Sequence, residues 1–311
     1  MKKAYFSLLI LALIGTACQR QQPTTRTDTM TSGQIQVAID ETCLPFMRDE
    51  IAVFEGLNPE ASITPLYMND EAAIDLLLKD SLRLVVAARD FTQAEKDIIK
   101  ANKLLARSNK IAKDAVALII HRNNKDTLLA LPTLKKILTG AITDWKQVIP
   151  GSTLGPIRVV FDNPSSSTIR FVKDTVCQGE AFGPNIKSQP SNEAVIDFVA
   201  NTPNALGIIG AGWIADKTDT LNIKFSDRIR VMAITPYDEA REDNSYLPQP
   251  AWIAMGRYPL TRDLYVLTSD APSHLPSGFM HFLGGEKGQR LILKSGLVPA
   301  NAPLRVISVK Q

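Results

Sequence analysis

An α/β chain of two lobes is what the 311 residues predict, on three observations. Strand and helix patterns alternate over residues 33–294, and such alternation builds mostly parallel sheets flanked by helices. The run 115–120 (AVALII) is apolar without a break, which suits a strand covered on both faces. Setting aside a leader of 17 residues leaves 294, a length that two units fill better than one.

The leader begins with Lys2 and Lys3, continues as an apolar run over 4–14 and ends in Gly15-Thr16-Ala17-Cys18. A positive start, a short apolar core and small residues before a cut site are the pattern of a secretory signal. The run of 11 residues falls short of the roughly 20 that cross a bilayer. Residues 1–17 are therefore expected to be a cleaved signal peptide. Thr16-Ala17-Cys18 resembles a bacterial lipobox, with Gly15 where leucine is usual, and implies lipidation of Cys18. The alternative is an ordinary cut near Ala17. Residues 18–32 are polar and rich in Gln and Thr. Too few apolar groups are present to fold, so the segment is expected to be a flexible tether. The protein would then be exported and held in the cell envelope, facing the periplasm, through its lipid.

Hydrophobic residues make up 45% and charged residues 22%, as in ordinary globular proteins. The formal charge of +3 falls to about +1 without Lys2 and Lys3, which argues against a nucleic-acid partner. Cys43 and Cys177 fall in different expected lobes, so both are expected free and buried rather than bonded. His121, His274 and His281 are scattered. No metal site and no cofactor are expected.

The elements follow in order. Residues 34–39 (QIQVAI) alternate as a strand does. A helix is expected over 44–57, ending at Asn58-Pro59, and a strand over 61–66. Residues 70–79 form an amphipathic helix with Asp70 as its N-cap. A strand over 82–87 precedes a helix over 92–102, whose Thr92 and Glu95 fit a capping box. Residues 103–107 and 115–121 are two strand-like pieces. A helix over 132–139 stops at Gly140. A strand over 157–161 leads through a Ser/Thr loop to a helix over 169–177. Next come a helix over 191–200 capped by Ser191, strands over 205–209, 228–234 and 264–268, and helices over 276–283 and 286–294. Residues 238–249 read as an exposed polar loop.

The segment most suggestive of chemistry is IRVVF, then DNPSSST, then IRFVKDTVC. A helix start offers unpaired N–H groups and partial positive charge. Hydroxyls of Ser165, Ser166, Ser167 and Thr168 add donors at the carboxyl end of a strand, where ligands of open α/β sheets bind. The alternative is plain helix capping. Thr42, in Asp40-Glu41-Thr42, offers another hydroxyl at a strand end. Arg89 offers a guanidinium fork suited to tetrahedral oxyanions, or else pairs with Asp90 or another carboxylate. Asp114 can accept from a protonated ligand oxygen, or else shapes a turn. No GxSxG elbow, no P-loop and no histidine at a workable spacing from a serine or cysteine is present, so catalysis is not expected.

In this order the segments resemble the PstS-like phosphate-binding subunit of bacterial phosphate ABC importers, over about residues 33–300. LRLVVAARDFTQAEKD, NKIAKDAVALIIHRNN, ALGIIGAGW, RYPLTRDLYV and SGLVPA all carry the likeness. LPTLKKILTGAITDWKQV carries it most specifically, through Leu131, Leu134, Gly140, Ile142, Thr143 and Trp145. The resemblance implies a type II periplasmic-binding-protein fold with two crossover strands. It places residues 33–114 and 235–311 in the first lobe and 115–234 in the second. It further implies a monomer that closes on phosphate or a similar oxyanion held by Thr42, Arg89, Asp114, Ser166, Ser167 and Thr168. The cargo would pass to an ABC permease and its ATPase. Four departures stand out. Asp162 replaces an arginine, Ser165 and Ser167 replace glycines, Ala88 replaces a serine, and Asp40-Glu41-Thr42-Cys43 replaces a Gly-Ser-x-Thr pattern. They keep two other readings open: the same fold used as an envelope sensor or scaffold, and a hydrolase using one of the serines.

Overall fold

The computed structural model describes residues 27–215 and 225–301. The expected signal peptide, Cys18 and the tether up to residue 26 lie outside the described residues.

The chain runs through β1 (Gly33–Asp40), α1 (Leu44–Leu57), β2 (Ala61–Met68), α2 (Asp70–Leu78), β3 (Leu84–Ala87), α3 (Gln93–Ala101) and β4 (Arg107–His121). It continues with β5 (Leu128–Ala130), α4 (Leu131–Leu138), α5 (Trp145–Val148), β6 (Arg158–Phe161), α6 (Ser167–Thr175), β7 (Ile186–Ser188), α7 (Asn192–Asn201) and β8 (Ala205–Gly210). It ends with β9 (Ile229–Val231), β10 (Ala233–Thr235), α8 (Pro250–Ala254), β11 (Thr261–Thr268), α9 (Leu275–Gly284), α10 (Glu286–Lys294) and β12 (Val298–Pro299).

The strands lie in the order β2-β1-β3-β11-β4-β8-β6-β7, with β9 and β12 also pairing to β4 and with β5 and β10 forming a separate pair. β1 is parallel to β2 and β3, and β6 is parallel to β7 and β8. β4 runs antiparallel to both β11 and β8. At about 3.3 Å per residue the 15-residue β4 is roughly 50 Å long, enough to traverse two sheets. Residues 107–115 of β4 pair with β11, and residues 116–120 pair with β8. The piece expected over 115–121 thus belongs to one continuous strand that starts at Arg107, whereas residues 103–106 of the other expected piece lie outside any strand. The first half of β4 carries the polar run Arg107-Ser108-Asn109-Lys110 and is only partly covered, whereas Ala115, Val116, Ala117, Leu118, Ile119 and Ile120 are all buried.

The side-chain clusters divide the molecule at this strand. In the first lobe Ile35, Val37 and Ile39 pack with Phe46, Phe54, Phe279 and Ile292 on one sheet face. Ala38 and Val85 pack with Ile74, Leu77 and Ile99 on the other. In the second lobe Leu118, Trp145, Phe161, Val172, Val195 and Ile208 share one cluster. Ile253, Tyr258 and Leu260 belong to that second cluster, and the Tyr258 hydroxyl donates to the Val116 carbonyl at 2.7 Å. Residues 253–260 thus pack with the second cluster although they follow the expected boundary at 234/235. The reason is that the segment after β10 still needs the second lobe to cover its apolar side chains.

Local signals fare well. The Thr92/Glu95 capping box and the Ser191 cap are both formed. Gly140 ends α4 at φ +81°, in the left-handed region where glycine alone is unstrained. Cys43 and Cys177 are free and buried. Asp70 is not the cap of α2. Asn69 is, accepting from the Ala72 N–H at 2.9 Å, and Asp70 is freed to meet the other lobe.

Candidate functional site

β1 and β6 end facing each other across the crossover strands. The turn after β1 carries Asp40 and Thr42; the turn after β6 carries Asp162 and leads into α6. Asp114 sits in β4 where its partner changes from β11 to β8, and Arg262 lies directly opposite it in the ladder. A methyl group at Gly210 would touch both Arg262 Nη2, at 3.4 Å, and Thr42 Cβ, at 3.7 Å. Groups from both lobes therefore meet at the end of β8.

One network joins them. Asp40 Oδ1 accepts from the Thr42 N–H at 3.0 Å, from the Thr42 hydroxyl in a short contact, and from the Ser167 hydroxyl at 3.0 Å. Arg262 Nη1 donates to Ser167 Oγ at 3.1 Å. Arg262 Nε and Nη2 donate to Asp114 Oδ2 at 3.0 and 2.9 Å. All of these side chains are buried. Two further residue pairs cross between the lobes: Asn163 Nδ2 donates to Glu41 Oε2 at 2.7 Å, and Arg170 forks onto both oxygens of Asp70.

The charges do not balance. One buried guanidinium faces three buried carboxyls, Asp40, Asp114 and Asp162. Burial disfavours the charged form of Asp40 and of Asp162. Burial, with the nearby Asp70 charge, pushes Asp40 up to about 6, against the pull of Arg262 and Thr42. Burial likewise pushes Asp162 up to about 6. Burial opposes the charge of Arg262 too, yet Asp114 and Asp40 hold its guanidinium above the usual range. The Cys43 thiol is pushed well up by burial and by Asp40, so it is no nucleophile.

Of the expected residues, Thr42, Asp114 and Ser167 come together in this network. Ser166 caps α6, accepting from the Ile169 N–H at 3.2 Å. Thr168 is fully buried and its hydroxyl has no partner among the described residues. Asp114 Oδ1 is likewise without a partner among them. Arg89 does not join. Its guanidinium forks onto Glu95 at 2.7 and 2.8 Å and also reaches the Asp90 carbonyl at 3.1 Å. The capping glutamate of α3 lies six residues away and saturates it, so Arg89 is a structural ion pair. The cation in the cluster is Arg262, which the sequence reading passed over. A signal existed: an arginine on a strand between Leu260 and Leu264, both buried, needs a buried partner. Asp162, the residue in place of the family's arginine, is held at the edge by Asn192 Nδ2 at 3.3 Å.

No group of three or more His, Cys, Asp or Glu side chains suited to a metal ion occurs among the described residues. Among the same residues, no helix is long and apolar enough to cross a membrane.

Comparison with known proteins agrees with the architecture. The model of the PBP superfamily domain matches residues 24–286. The phosphate-binding protein PstS of Pseudomonas aeruginosa is 25% identical over 216 residues, covering 65% of this chain and 62% of that protein. The phosphate-binding protein PstS of Borreliella burgdorferi is 22% identical over 273 residues, covering 85% of this chain and 89% of that one. A Clostridium perfringens chain solved with bound phosphate superposes with a TM-score of 0.71 at 22% identity, over 86% of this chain and 100% of that chain. The chain belongs to the PBP superfamily, as a PstS-like member with the two-lobe α/β fold of type II periplasmic binding proteins.

Proposed function

We propose that the protein captures phosphate, or a small oxyanion like it, between its lobes and delivers it to an ABC permease and ATPase, without catalysing a reaction. Export through the leader and a lipid on Cys18 would hold it at the membrane. The observation that carries this reading is the Asp40–Ser167–Arg262–Asp114 network, in which hydroxyl donors of both lobes and a fixed positive charge converge on one buried point. Thr42 and Ser167 supply donors there, and Thr168 a buried hydroxyl free to pair. Arg262 supplies the charge first assigned to Arg89. Asp114 Oδ1 supplies an acceptor for a protonated ligand oxygen. Desolvating an anion is costly unless each of its oxygens finds partners, so such a set would select by hydrogen bonding. The relatives named phosphate-binding proteins support the choice of anion.

The test is thermal unfolding of the leader-free protein with phosphate, sulfate, molybdate and small organic acids. A ligand at a hundred times its dissociation constant stabilises by roughly 2.7 kcal/mol. Phosphate is expected to raise the midpoint and the organic acids to leave it unchanged. No response to any oxyanion across the pH range would refute capture and favour the sensor or scaffold reading.

A further inference from the structure

The bonds at Asp40 are those an oxyanion would make. One oxygen of its carboxylate takes a backbone N–H and a hydroxyl from the first lobe and a hydroxyl from the second. That is three donors on one anionic oxygen, drawn from both lobes and backed by Arg262 through Ser167. We propose that Asp40 is a built-in competitor that occupies the oxyanion position, so that ligand enters only as Asp40 takes up a proton. This rests on the reading of the interlobe cluster as an oxyanion site.

The argument is one of donors and charge. Ionised, a carboxylate only accepts; protonated, it gains an O–H donor. With Asp40 ionised, the Thr42 and Ser167 donors are already used, and a ligand anion would be buried against a like charge. With Asp40 protonated, its hold on those donors weakens and it can itself donate to the ligand. Every charged group facing it bears on this balance. Asp70 and Asp162 favour the protonated form, whereas Arg262 opposes it and is itself shared with Asp114. The Cys43 thiol stays neutral. Thr168, the neighbour of Ser167 in α6, carries a fully buried hydroxyl with no partner among the described residues. Asp40 thus sets which conditions allow capture, and its position in the first turn, where the resembled family has a small residue, makes this a feature of the present chain.

The experiment compares phosphate binding by the full leader-free chain and by Asp40→Asn, by titration calorimetry between about pH 5 and about pH 8. Taking the affinity ratio at each pH cancels the titration of phosphate itself. The variant is expected to bind more tightly above about pH 6, with the ratio growing about tenfold per pH unit, since one proton is at stake. Calorimetry of the wild-type chain in buffers of different ionisation enthalpy is expected to show one proton taken up beyond that of the variant. This second measurement stands even if Asp40→Asn folds poorly, with Asp40→Ala as the reference. A ratio that does not change with pH, or no extra proton, overturns the proposal and leaves oxyanion capture standing. Folded variants that bind no phosphate at any pH overturn both.

Discussion

Replacing Glu50 by glutamine is expected to stabilise the protein, and to do so only above the ordinary titration range of a glutamate. Glu50 lies on the buried face of α1, and neither of its carboxyl oxygens has a partner among the described residues. Burial, aided by the neighbouring Asp49 charge, pushes its carboxyl up to about 9 from an ordinary 4.5. The folded state thus keeps the proton that the unfolded state releases. A group whose folded value is raised favours the fold below its unfolded value, and that advantage is lost as pH rises towards the folded value. At 1.36 kcal/mol per unit, the interval from 4.5 to neutrality costs about 3 kcal/mol. Total stabilities of about 5–15 kcal/mol are usual, so the effect is large. Glutamine keeps the shape and carries no charge to desolvate. Urea unfolding of both proteins, followed by circular dichroism, is expected to give nearly equal stabilities at about pH 4.5. The variant is expected to gain about 3–4 kcal/mol by about pH 7.5. Shifts at Asp40 and Asp162 cancel in this difference. A difference that does not vary with pH would refute the reasoning, because it would mean that Glu50 is charged in the fold or finds a partner.

Two other substitutions separate structural from functional charge. Arg89→Ala is expected to leave phosphate affinity by calorimetry unchanged and to cost under about 1 kcal/mol, since its pair with Glu95 is partly exposed. Arg262→Met is expected to cost about 3–5 kcal/mol in urea unfolding, because it strands Asp114 as an uncompensated buried charge. It is also expected to abolish oxyanion binding, and retained binding would remove Arg262 from the site.

The elements, the two covered sheets and the family likeness were legible in the sequence because each rests on near neighbours. Thr92 with Glu95 and Ser191 with Ala194 close bonds three residues apart. The AVALII run announces burial whatever it pairs with. Part of the site was legible for the same reason: hydroxyls at the ends of β1 and β6 sit at helix starts. The packing of residues 253–260 was not, since they follow a polar loop whose direction sequence alone leaves open.

What the amino-acid order determined by itself was where strands, helices and donors occur, because capping, turn chemistry and apolar spacing act within a few residues. Only the tertiary structure decided who pairs with whom. Ser167 reaches Asp40 across 127 residues and Arg262 reaches Asp114 across 148, whereas Arg89 is taken by Glu95 six residues on. A buried charge settles on whichever opposite charge the fold brings nearest once water is removed. That choice made Arg262 the cation of the interlobe cluster and set Asp40 among the donors.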